Sequence, residues 1–156
     1  TTGTDGGTDG AGSTTTAASG QPAFAWPVRG RILAQFGPQD DGVHNDGINI
    51  GAPRGTVIQA AGDGTVVYVG EKLEGFGKLV LIEHANNWIT AYAHTAAVLV
   101  GQGERVTRGD AIARVGTTGK VSEPQLHFEI REGSRAVDPQ SLLGPRRTAT
   151  LPRAAG

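Results

Sequence analysis

Two stretches of the chain alternate apolar and polar positions with a period of two. In Gln125–Ile130, Leu126, Phe128 and Ile130 fall on one face of an extended strand, and Gln125, His127 and Glu129 on the other. In Trp88–His94, the residues Trp88, Thr90, Tyr92 and His94 share one face by the same rule. Period two predicts strands, and further short apolar runs extend the pattern. Phe24–Phe36 reads as a hairpin turning near Arg29-Gly30, and Gly47–Ile50 as a short strand. Thr56–Gln59 and Thr65–Val69 flank Gly62-Asp63-Gly64, which predicts a second hairpin. Lys78–Ala85 and Trp88–His94 flank Asn86-Asn87, residue types that tolerate positive φ at a turn. Ala111–Val115 is a further strand, and Pro139–Leu143 alone suits a helical turn. The expected fold is all-β, an antiparallel sheet closed into a sandwich or barrel.

The pattern fades at both ends. Residues 1–21 carry almost no large apolar side chain and are expected to form a flexible linker; 145–156 are expected to be a flexible tail, leaving 22–144 as the folded domain. The chain opens on Thr1 and reads as a segment of a longer protein. Its net charge of -1 gives no pull toward nucleic acid, and no apolar run approaches the ~20 residues that insertion into a membrane requires. With no cysteine in 156 residues, disulfides and thiolate metal sites are excluded. The 25 glycines favour frequent turns over long helices.

Candidate chemistry sits on the strands. A histidine such as His94, on a face with Tyr92, is placed for binding or catalysis, or else is a hydrogen-bonded structural residue. Three segments carry more: Asn45-Asp46-Gly47-Ile48-Asn49-Ile50-Gly51-Ala52-Pro53-Arg54-Gly55, Ala91-Tyr92-Ala93-His94, and Pro124-Gln125-Leu126-His127-Phe128-Glu129-Ile130. In order and spacing they resemble the LytM/lysostaphin-type zinc endopeptidases, which cut peptide cross-links in peptidoglycan. The resemblance runs from about Trp26 to Leu143. It implies a LytM-type architecture, similar to a barrel-sandwich hybrid, with an open groove.

The family pattern is His-x-Gly-x-Asp for two zinc ligands, Tyr-x-His for one catalytic histidine, and His-x-His for a second catalytic histidine and the third ligand. Carried onto this chain, the ligand positions are Asn45, Asn49 and His127. His94 and Gln125 are remnants of the acid–base pair. An amide oxygen is a poor donor to Zn²⁺, and a catalytic zinc needs about three protein ligands. Without the ion nothing lowers the pKa of the attacking water, and Gln125 transfers no proton. The expectation is no cofactor, a lost zinc site and no catalysis. His44 and Asp46 flank Asn45 but point to the opposite strand face, so rescue of the site through them would need a register slip. His84, on the strand face opposite Glu83, is expected to be structural or else exposed on an edge.

Degenerate sites of this kind resemble the LytM-domain division factors of Gram-negative bacteria. That likeness implies a periplasmic protein of the division site that activates cell-wall hydrolases, namely N-acetylmuramoyl-L-alanine amidases and lytic transglycosylases. Asn45, Asn49, Phe76, Trp88, Tyr92, His94, Gln125 and His127 are the candidates for lining the binding groove. Two other readings stay open: a module that binds peptidoglycan itself, and a zinc endopeptidase with an unusual ligand set drawn from His44, Asp46 and His127.

Overall fold

A computed structural model describes residues 23–144. The expected linker 1–21 and tail 145–156 lie outside the described residues. Twelve strands follow in chain order: β1 (Arg31–Ala34), β2 (Gly37–Pro38), β3 (His44–Asn45), β4 (Ile48–Gly51), β5 (Val57–Gln59), β6 (Gly64–Gly70), β7 (Lys78–Glu83), β8 (Trp88–Val98), β9 (Arg105–Val106), β10 (Ala111–Val115), β11 (Gln125–Glu132) and β12 (Arg135–Val137). Two 3-10 turns, Ala85–Asn87 and Pro139–Ser141, are the helical elements among the described residues. The second begins as its sequence suggests, with Pro139 in the first turn and the Asp138 side chain accepting a hydrogen bond from the Gln140 amide. No helix among the described residues is long and apolar enough to cross a membrane.

All ladder pairings are antiparallel. One ten-stranded sheet runs in the order β9-β6-β7-β8-β11-β4-β1; β10 attaches to both β5 and β8, and β12 to β11. β2 and β3 form a separate small hairpin. The long β8 holds the sheet together: its first half lies between β7 and β11, and its last residues pair with β10. Ile58, Ile112 and Val115 from β5 and β10 share one cluster with Ile82, Leu126, Phe128 and Ile130, so the sheet curls around a main core, and Leu79, Ala91 and Ala93 form a second, smaller cluster. Each of those side chains is fully buried, and removal of such groups from water supplies roughly 1.5–3 kcal/mol apiece.

The Lys78–Ala85/Trp88–His94 hairpin forms as expected, with Asn86 and Asn87 at φ 61° and 66°. Two other expected hairpins do not. Phe24 makes an isolated parallel bridge to Leu143, and only Arg31–Ala34 of the 24–36 stretch is a strand; it pairs with β4. Val57–Gln59 pairs with β10, while β6 turns to β7 and β9, so the turn at Gly62-Asp63-Gly64 joins strands that are not partners. Asp-Gly marks a reversal of the chain, but partner choice follows from which apolar face closes the core.

Candidate functional site

The outward face of β11 presents Gln125, His127, Glu129 and Arg131 in alternation. The pairing of His127 with Asn49 on β4 and with Ala93 on β8 fixes what lies beside them. Asn49 is the hub. Its Oδ1 accepts from Asn45 Nδ2 at 3.0 Å and from His127 Nδ1 at 3.2 Å, and its Nδ2 donates to Gln125 Oε1 at 2.8 Å. Asn45 Oδ1 accepts the Gly47 amide, and Gln125 Nε2 donates to the Glu123 carbonyl. On the other side, His127 Nε2 donates to Glu129 Oε2 at 2.8 Å, and Arg131 Nε donates to Glu129 Oε1 at 2.8 Å. Arg131 also reaches Asp46, which bonds His44. Gly47 permits this closure, since an added Cβ there would collide with the Phe128 carbonyl and press the Glu129 side chain.

His94 arrives on this face by a break in alternation. The β7/β8 register shifts between Lys78↔Thr95 and Val80↔Tyr92, which leaves an extra residue on β8, and His94 takes φ 66°. A bulge of this kind re-aims a side chain. The His94 imidazole thus lies 6.1 Å from that of His127, on the face opposite Tyr92. Positive φ on a non-glycine residue costs roughly 1–2 kcal/mol. Two hydrogen bonds hold it there: the His94 amide donates to the Phe76 carbonyl, and Nδ1 donates to the Thr118 carbonyl, both at 2.8 Å. Thr118 is itself pinned, accepting the Lys78 amide and donating to the Thr95 carbonyl. Gly77, at φ 64°, lets the 71–77 loop pass directly over Thr118, where a Cβ would clash. The Phe76 ring lies 5.7 Å from His127.

The electrostatics follow from these contacts. Burial alone would raise the Glu129 carboxyl; the hydrogen bond and charge of His127, joined by Arg131, outweigh it and hold the carboxyl below its ordinary range. His94 is pushed below the usual histidine range, first by burial, with the neighbouring His127 acting in the same direction; the Thr118 and Phe76 backbone bonds oppose them in part.

Tyr92 and Trp88 are corrections to the expected groove lining. Tyr92 is fully buried, packs on Phe128 at 5.4 Å, and its phenol is pushed up to about 12, chiefly by burial. Trp88 is 3% exposed and packs edge-on against Phe24 in the same core. Both follow strict alternation into the core, and only His94, past the bulge, escapes it. Asn45, Asn49, Phe76, His94, Gln125 and His127 are brought together on one face. His44 is exposed, edge-on to Phe36, and reaches none of the amides. His84 is structural as expected: Nδ1 donates to the Asp63 carbonyl and Nε2 accepts from Thr90. Glu129 and Thr118 are site residues the sequence reading passed over. Glu129 was signalled by its alternation with Gln125 and His127, whereas nothing local marks Thr118.

The donors at the three family ligand positions do not fit a zinc ion. Two are amides, and both nitrogens of the third, His127, are already engaged. Among the described residues no group of three or more His, Cys, Asp or Glu side chains is placed to hold a metal.

Known proteins share much of this sequence and fold. The model of Peptidase family M23 matches residues 43–139. The chain is 45% identical over 132 residues to the cell division protein DipM of Caulobacter vibrioides, covering 81% of this chain and 22% of that protein. It is 39% identical over 134 residues to the murein hydrolase activator NlpD of Salmonella dublin, covering 86% and 35%. The chain therefore spans only about a fifth to a third of these relatives' lengths. A zinc-containing peptidase from Vibrio cholerae superposes with a TM-score of 0.70 at 32% identity, covering 79% of this chain and 42% of that one. With more than half of its length matched by that model, and with these relatives 39–45% identical over most of it, the chain belongs to peptidase family M23.

Proposed function

We propose that this domain is a non-catalytic regulator that binds a peptidoglycan hydrolase and raises its activity, without zinc and without hydrolysis of its own. One observation carries the reading: Asn45, Asn49 and His127 stand at the three ligand positions and close on one another and on Gln125 in a hydrogen-bonded ladder. An ion entering there would have to break these bonds and would gain two neutral amide oxygens. Gln125 has no proton to exchange. What remains is a rigid scaffold suited to recognition.

The relatives support the direction of the reading. One is named a cell division protein and the other a murein hydrolase activator. On this proposal the partners are N-acetylmuramoyl-L-alanine amidases or lytic transglycosylases, and the setting is the periplasm of a Gram-negative envelope at the division site. The test incubates the chain with isolated sacculi, alone, with added zinc, and with a purified periplasmic amidase or transglycosylase. The expected result is no release of soluble wall fragments by the chain under either metal condition, and faster release by the hydrolase when the chain is present. Wall cleavage by the zinc-treated chain alone overturns the proposal. So does an unchanged hydrolase rate.

A further inference from the structure

Every polar side-chain atom of the ladder at the former ligand positions has at least one partner. The amide oxygens and nitrogens of Asn45, Asn49 and Gln125, both nitrogens of His127 and both oxygens of Glu129 have partners within the chain. One polar side-chain atom on this face has none among the described residues, and that is His94 Nε2. With Nδ1 donating to the Thr118 carbonyl, the neutral ring leaves Nε2 as a bare acceptor. His94 is only 5% exposed, and a buried acceptor without a partner is costly. It is also held at φ 66° by a bulge, so the chain bears a second cost to keep this ring here.

Resting on the regulator reading above, we infer that His94 Nε2 is the acceptor by which this face grips the partner hydrolase, taking an uncharged donor, a backbone amide N–H or a hydroxyl, from a polypeptide segment laid beside Phe76. A carboxylate has no proton to give. An ammonium group would have to shed its hydration shell to reach an acceptor that is only 5% exposed. The Phe76 ring, half-buried and 5.7 Å from His127, supplies apolar contact beside the acceptor. The small exposed area of His94 admits a slender donor, which suits main-chain N–H or a side-chain hydroxyl.

The experiment has two parts. Nitrogen-detected NMR of the free chain near neutral pH reports the His94 tautomer. An Nε2 carrying a proton overturns the inference outright. Then a purified periplasmic amidase, and separately intact sacculi, are added while the Nε2 resonance is followed, and the affinities of His94→Phe and His94→Gln are measured. His94→Phe removes the acceptor and is expected to weaken amidase binding about tenfold. His94→Gln keeps an acceptor and an Nε2 donor for Thr118, and is expected to restore binding to within about threefold. Amide spectra show that each variant is folded. If the amidase binds but the resonance does not move and His94→Phe binds as well as the parent, the inference fails and the regulator reading stands. If only sacculi move the resonance, the regulator reading fails and the donor comes from the wall. If neither moves it, both fail.

Discussion

Two polar networks flank β8, one on its core side and one on its outer side, and differ in how they end. On the core side of β8, the Ala61 amide donates to the Tyr92 hydroxyl, Tyr92 to Thr90 Oγ1, Thr90 to His84 Nε2, and His84 Nδ1 to the Asp63 carbonyl. Each link has one direction only, because the amide can only donate and the carbonyl only accept. The relay begins and ends on backbone and needs nothing from outside. On the outer face the ladder through Asn49, His127 and Glu129 is also closed, yet His94 beside it keeps an unused acceptor. The closed relay is read as architecture, and the open end as the place where something else is bound. Histidine alone distinguishes nothing here: His84, His94 and His127 are all at most 7% exposed.

The largest expected effect tests the core relay. Tyr92→Ala removes a fully buried ring and should cost about 3–5 kcal/mol of stability, while Tyr92→Phe, which strands the Ala61 amide and removes the donor to Thr90, should cost about 1–3, both read from urea denaturation midpoints. A loss for Tyr92→Ala as small as that of a surface substitution would place Tyr92 outside the core.

Next comes the outer ladder. Glu129→Ala removes the buried carboxylate that His127 and Arg131 share and should cost about 3 kcal/mol. Glu129 should therefore matter more to folding than any amide on the same face, and Asn49→Ala measured alongside it checks that ranking.

The smallest effect is a slope with pH. His84 and His94 both lie below their ordinary value of 6.5 in the folded chain, so the unfolded chain takes up protons first as the solution is acidified. Their contribution is complete above about 6.5 and is lost as pH falls from there toward the lowered folded values. Glu129, also depressed, adds a loss that starts only near its ordinary value of 4.5 and continues below it. His84→Gln should flatten the upper part of the curve without abolishing it, since His94 remains. Denaturation midpoints taken between about pH 7.5 and 5 give the slope, and an unchanged slope in the variant would mean that His84 does not titrate with folding.

Much of the fold could be read from local chemistry. The β7–β8 hairpin followed from Asn86-Asn87 between two alternating strands, and the core face of β11 from Leu126, Phe128 and Ile130. The ligand positions were legible from spacing, because a two-residue step on a strand keeps side chains on one face. Trp88 and Tyr92 were misplaced because they were grouped with His94 by that same step, and a bulge is invisible to alternation. The turn at Gly62-Asp63-Gly64 was recognised, but its strands were matched to each other when they pair elsewhere.

The sequence by itself therefore determined the strand content, the family and the identity of the donors at Asn45, Asn49 and His127, since each depends on residue type and spacing along the chain. Only the tertiary structure decided that β5 joins β10, that Glu129 and Arg131 close the ladder, and that Thr118, twenty-four residues from His94, turns its ring. The reason is physical. Alternation and turn chemistry act between near neighbours, whereas strand partners, bulges and buried hydrogen bonds are chosen by which distant surfaces and orphaned donors the closed core brings within reach.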